Sequence, residues 1–193
     1  MRQDISLVEG SLADVARRDG SSIAESFVSA EAVILVDVSG SMVARDARGG
    51  QQRYTVALEE LRALQRSLPG RLAVIAFSND AVFCPGGLPP FLGASTRVDR
   101  ALEFAKVADV PGMRFFLISD GEPDDARRAL DVARAYKARI DTIYVGPEAR
   151  PAGREFLRRL AQVTGGQTAT ADRVHELAAT TERLLRAGDA GGY

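Results

Sequence analysis

The sequence predicts an α/β fold, an open and mostly parallel sheet with helices on both faces. Three observations carry that reading. Near-continuous apolar runs at Ala32-Val33-Ile34-Leu35-Val36, Leu72-Ala73-Val74-Ile75-Ala76 and Phe115-Phe116-Leu117-Ile118 have the character of strands buried on both sides. The stretches between them carry apolar residues at helical spacing. The two patterns alternate along the chain, as parallel βαβ units require.

Taken in order, residues 7–27 read as two short helical pieces. Leu12, Val15 and Ala16 mark the first, Ile23 and Phe27 the second, and Asp19-Gly20-Ser21-Ser22 separates them. Strand 32–37 follows, then a Gly-rich loop through Gly49-Gly50. Tyr54, Ala57, Leu58, Leu61, Leu64 and Leu68 form a helical stripe that Pro69-Gly70 ends. Strand 71–77 leads through the turn residues Ser78-Asn79-Asp80 into a short strand 81–83, so one edge should be an antiparallel hairpin. Residues 85–90 hold too much Pro and Gly for regular structure. Ser95-Thr96 then opens a helix carrying Val98, Ala101, Leu102 and Ala105, with Thr96 and Asp99 spaced as a capping box. A buried strand at 115–118 ends in Ser119-Asp120-Gly121. A helix over 125–138, a strand at 140–145, a helix at 153–164, a short strand at 167–170 and a last helix at 173–186 complete the pattern. The Gly-rich end, 188–193, is expected to fray. Residues 1–30 read as an N-terminal extension, partly helical and packed on the domain.

Composition narrows the function classes. At 193 residues and 46% hydrophobic content, one domain can bury a full core without disulfide or metal. Lys and Arg number 25 against 26 Asp and Glu, for a net charge of -1, so no global field draws nucleic acid or an anionic membrane. Cys84 is the only cysteine, which excludes an internal disulfide and a multi-cysteine zinc site. With no His in its segment to activate it, Cys84 reads as a packed residue. The single histidine, His175, reads as a solvated helix residue. No apolar run reaches membrane-spanning length and the first residues lack a signal-peptide core, so a soluble, cytoplasmic protein is expected.

The densest chemistry lies where the first long strand ends, in Asp37-Val38-Ser39-Gly40-Ser41-Met42. Ligands of open α/β sheets bind at the carboxyl ends of strands, and an acid with two hydroxyls is a hard-cation donor set. Each residue has a local explanation, as strand-end acid, loop former, cap or turn residue. Together with Thr96 at a helix start and Asp120 after a buried strand they form an ordered pattern.

That pattern, Asp37-x-Ser39-x-Ser41, a distant Thr96 and the later Asp120-Gly121, resembles the metal-ion-dependent adhesion site of von Willebrand factor A domains. The resemblance covers about residues 32–187. It implies a three-layer, Rossmann-like open sheet with one short antiparallel edge strand, in which Asp37 and Asp120 converge where the strand order reverses. It implies metal ligation by Asp37, Ser39, Ser41, Thr96 and Asp120, with Mg²⁺ as the ion and Mn²⁺ or Ca²⁺ as alternatives. The hydroxyls would touch the ion while the two acids act mainly through water. So little neutralised, the ion would accept a Glu or Asp carboxylate from a partner protein, such as a ring-forming ATPase or another intracellular complex. The loops at 42–52, 84–95 and 122–124 would share that contact.

The expected function is therefore a non-catalytic, metal-dependent protein-binding module, with neither nucleic acid nor membrane as partner. Two alternatives stand beside it. A Mg²⁺-dependent phosphoester hydrolase would place a second acid where this chain has Ser39, and a scaffold with a degenerate site would bind its partner without metal. Phosphate-binding glycine loops and a nucleophile elbow are absent from the sequence. Glu122, Asp124 and Asp125 adjoin the site, and Asp124 reads as the cap of the helix that follows.

Overall fold

The computed structural model describes residues 7–147 and 149–170. The last expected helix, His175 and the tail at 188–193 lie outside these residues. Two short helices come first, α1 (Leu12–Asp19) and α2 (Ile23–Val28). Ser11 caps α1 by accepting the Asp14 N–H, and Ser22 with Glu25 forms a reciprocal capping box on α2. Both pieces pack at the foot of the sheet. Val8 N–H donates to Gly86 O, Ala13 N–H to Pro85 O and Gly70 N–H to Gly10 O, which ties the segment to the C-terminal end of the next helix and to the loop after the edge strand.

The sheet holds six strands: β1 (Ala32–Asp37), β2 (Leu72–Phe77), β3 (Ala81–Phe83), β4 (Arg114–Ser119), β5 (Ile140–Tyr144) and β6 (Thr168–Thr170). Their order is β3-β2-β1-β4-β5-β6. All neighbouring pairs run parallel except β2 and β3, which pair antiparallel with Ile75 opposite Phe83. The expected architecture, with its one antiparallel edge, is the observed one.

Helices α3 (Arg53–Ser67), α4 (Val98–Ala105), α5 (Ala126–Arg134) and α6 (Pro151–Thr164) cover the two faces. Period-two alternation divides the core. Val33, Leu35, Ile75, Phe115 and Leu117 pack with Leu102, Ala133 and Leu157 from α4, α5 and α6. Ile34, Val36, Val74, Phe116 and Ile118 pack with Val56, Leu61 and Leu64 from α3. Every residue of β1 is buried, which is why its sequence shows no polar alternation.

Chain order reverses at β1. From there the chain steps outward to β2 and β3, then returns to the other side as β4, so a crevice opens between the ends of β1 and β4. Register pairs Val36 with Ile118. Asp37 and Asp120 therefore leave the sheet side by side, at the pole opposite α1 and α2.

Candidate metal centre

Asp37, the last residue of β1, is fully buried. Its Oδ1 accepts the Ser39 N–H at 2.9 Å and its Oδ2 accepts the Ser119 hydroxyl at 2.6 Å. No cation pairs with it in these contacts. Burial first, then the negative charge of Asp120, pushes the Asp37 carboxyl up to about 6, against the hydrogen bonds from Ser119 and Ser39.

A short 3₁₀ turn, Gly40–Val43, follows. Ser39 Oγ and Ser41 Oγ stand 3.2 Å apart. Neighbouring oxygens around an octahedral Mg²⁺ lie about 2.9 Å apart, given metal–oxygen distances near 2.1 Å, so this hydroxyl pair has the spacing of two adjacent ligands. Ser39 is fully buried and Ser41 partly so.

Thr96 reaches the same rim along a longer route. The irregular stretch after Cys84 runs along α3, anchored where Gln65 donates to Gly87 O at 3.0 Å and where Tyr54 donates its hydroxyl to Pro89 O at 2.6 Å and stacks edge-to-face on Phe91. At the top, Gly93 N–H donates to Val38 O and Gly40 N–H to Ala94 O, both at 3.0 Å. These bonds lock the Thr96 loop onto the Asp37 loop. Ala94 holds φ at 63°, a left-handed conformation costly for a residue with a Cβ and of the kind found at functional sites. Ser95 N–H then reaches Asn79 Oδ1 and Arg97 N–H reaches Ser78 O, at 3.2 and 2.9 Å.

The capping expectations fail here. Helix α4 begins at Val98 after Arg97, with no side-chain cap. Asp99 serves as an ion-pair acceptor for Arg97 at 2.7 Å and Arg128 at 3.1 Å. Nor does Asp124 cap α5, a task that Asp125 performs by accepting the Arg128 N–H at 2.9 Å. Asp124 instead grips Thr96. It accepts the Thr96 N–H at 3.3 Å and donates its own N–H to Thr96 O at 3.1 Å. In both cases a tertiary contact outweighs the local rule.

Asp120 follows β4 and is 1% exposed. Gly121 behind it has φ of 74°, and a Cβ there would sit 2.1 Å from Gly153 O in the first turn of α6. The Asp-Gly turn thus needs glycine both for its conformation and for its contact. Asp120 Oδ1 accepts the Glu122 N–H at 3.4 Å. Its Oδ2 accepts from Arg53 Nη1 at 2.7 Å.

Arg53 is the site residue that the sequence reading missed. It is 1% exposed, and Asp46 takes the rest of its guanidinium at 2.7 and 2.8 Å. One signal could have found it. Arg53 opens α3, and a cation in the first turn of a helix runs against the macrodipole, so something else must hold it there. Ser119 stands in the Ser119-Asp120-Gly121 run that the sequence marks at the strand end, but its hydrogen bond to Asp37, 82 residues away, is visible only in the fold.

The structure thus brings Asp37, Ser39, Ser41, Thr96 and Asp120 to one rim, linked through Ser119, Ala94 and Asp124. Among the described residues no group of three His, Cys, Asp or Glu side chains forms a metal cage, so the donors at this rim are hydroxyls and two acids. That set suits a hard cation that keeps part of its water shell. Cys84 is buried, and burial pushes its thiol up, which is the opposite of an activated nucleophile. No helix of the described residues is long and apolar enough to cross a membrane.

No protein-family model and no curated protein sequence matches the chain. Solved structures do. An aerotolerance-related membrane protein from Bacteroides fragilis superposes with a TM-score of 0.64 at 15% identity, covering 81% of this chain and 98% of that one. The manganese-loaded TRAP protein of Plasmodium vivax gives 0.58 at 18% identity, over 81% of this chain and 73% of its own. A von Willebrand factor type A protein from Catenulispora acidiphila gives 0.57 at 19% identity, over 78% of this chain and 41% of its own. In each case the likeness covers more than three quarters of this chain. The protein has the fold of a von Willebrand factor type A domain.

Proposed function

We propose that the protein is a non-catalytic, metal-dependent binding module. Asp37, Ser39, Ser41, Thr96 and Asp120 would hold a divalent cation, Mg²⁺ or Mn²⁺, and the ion would accept a Glu or Asp carboxylate from a partner protein. The observation that carries this reading is the hydroxyl pair of Ser39 and Ser41, 3.2 Å apart, beside the buried carboxylate of Asp37, whose hydrogen bonds among the described residues come from neutral donors. A dication would supply the charge that Asp37 lacks. The manganese carried by the TRAP structure supports a divalent ion on this fold.

An ion held largely by neutral oxygens keeps most of its charge and attracts an outside carboxylate. The surrounding loops offer further contact, since Val43, Phe91 and Leu92 are each more than two-fifths exposed. Such apolar residues around a central charged contact exclude water from it. Phosphoester hydrolysis would call for a second acid beside Asp37, and that position is Ser39.

Selection of random peptides on the immobilised protein in Mg²⁺, with elution by chelator, tests the reading. Enrichment of Asp- or Glu-centred peptides, lost with Asp37→Ala, is expected. Peptides that bind equally in chelator, or equally to Asp37→Ala, would overturn it.

A further inference from the structure

The guanidinium of Arg53 is the only described cation in hydrogen-bond contact with a residue of the proposed ligand set, and it lies fully inside the protein. It cannot lose its proton, so the site contains a permanent positive charge beside the place where a dication would sit. Three bonds fix it there. Nη1 donates to Asp120 Oδ2 at 2.7 Å, while Nε and Nη2 donate to the two oxygens of Asp46 at 2.7 and 2.8 Å. Asp46 stands on the loop before α3 with its side chain 37% exposed, whereas those of Arg53 and Asp120 are each 1% exposed. The fork geometry leaves the guanidinium little freedom to withdraw.

Two consequences follow from the charges. Both oxygens of Asp120 already have donors, Arg53 Nη1 at Oδ2 and the Glu122 N–H at Oδ1, so direct ligation of an ion would compete with a partner at either one. Part of its charge is already spent, so the inner group of Asp37, Asp120 and Arg53 offers a net charge of about one negative unit to a dication rather than two. Building on the proposed metal site, we infer that Arg53 is a positioning residue that sets ion affinity. It holds Asp120 away from direct ligation and leaves the ion under-neutralised, so the ion exchanges readily and is retained tightly only when an outside carboxylate joins it. Asp46 moderates the effect by sharing the guanidinium. This makes the coupling between ion and partner a property of one arginine, 67 residues from Asp120 in sequence.

The role makes a prediction opposite in sign to a merely structural one. A structural arginine, once removed, would loosen the site and weaken ion binding. Under the present account Arg53→Gln and Arg53→Met tighten it. Calorimetric titration of the full chain with Mn²⁺, with and without excess propionate as a carboxylate probe, reads the difference. Arg53→Gln should bind Mn²⁺ at least tenfold more tightly than the wild type, and propionate should enhance its binding less. Arg53→Lys, which keeps the charge, should stay within about threefold of the wild type. If Arg53→Gln does not fold, Asp46→Asn serves instead. It leaves the guanidinium to Asp120 and should weaken Mn²⁺ binding at least threefold. A wild type that binds Mn²⁺ with Arg53→Gln equal or weaker, or with Asp46→Asn tighter, overturns the role of Arg53 alone. Absence of Mn²⁺ binding in both wild type and Arg53→Gln overturns the metal reading as well.

Discussion

Asp37 ends β1 and Asp120 directly follows the adjacent parallel strand β4; both are buried acids, yet they are held by different chemistry. Asp37 rests on neutral donors, the Ser39 amide and the Ser119 hydroxyl. Asp120 rests on a guanidinium. A buried carboxylate with only neutral partners keeps its desolvation cost, whereas one paired with a cation offsets it. The two halves of the rim therefore differ in what they lack. Among the described residues the Asp37 half lacks a paired positive charge, and the Asp120 half already has one. On the proposed metal reading, an incoming dication would be recruited chiefly by Asp37.

The contrast breaks most sharply under one substitution made twice. Asp37→Asn should lose Mn²⁺ affinity by at least a hundredfold in calorimetric titration, because it removes the buried negative charge proposed to recruit the ion. In chelator the same variant should be more stable than the wild type at pH 7, by roughly 2–3 kcal/mol in denaturant unfolding, since the cost of ionising a buried acid with pKa about 6 disappears. Asp120→Asn should move stability the other way, by about 1–3 kcal/mol, because Arg53 loses one of two charged partners. Equal signs for the two variants would contradict the distinction.

Acid sharpens it further. The Asp37 carboxyl is raised from 3.8 to about 6, so between those values the folded, metal-free chain holds a proton that the unfolded chain has released. Metal-free stability should then fall as pH rises through that window and stay level above it. Ion affinity should run in reverse, weakening about tenfold for each pH unit below 6 as proton and metal compete for Asp37. Denaturant unfolding and Mn²⁺ titration between pH 4.5 and about 7.5 check both slopes. The smallest effect belongs to the rim. Asp46→Asn should cost no more than about 1 kcal/mol, because Asp46 is partly solvated and Arg53 keeps Asp120.

Much of this was legible in the residues. The apolar runs fall on β1, β2 and β4 within a residue or so, because strands buried on both faces cannot carry polar alternation. Convergence of Asp37 with Asp120 follows from the reversal of strand order, which alternating elements already implied. The roles of Asp99, Asp124 and Arg53 were not legible. Capping rules look three residues ahead, while Asp124 answers to Thr96 and Asp99 to Arg128, each in another element. Arg53 follows a Gly- and Gln-rich loop where an arginine ordinarily meets solvent, yet it is buried in bonds to Asp46 and to Asp120, 67 residues away.

The central claim is that this rim holds a divalent ion open to an outside carboxylate. Electron paramagnetic resonance of Mn²⁺ with the full chain tests it most directly. The account predicts one bound ion per chain, a spectrum that changes when propionate is added, and loss of both in Asp37→Asn. Mn²⁺ binding that survives Asp37→Asn unchanged, or a wild type that binds none, would contradict it.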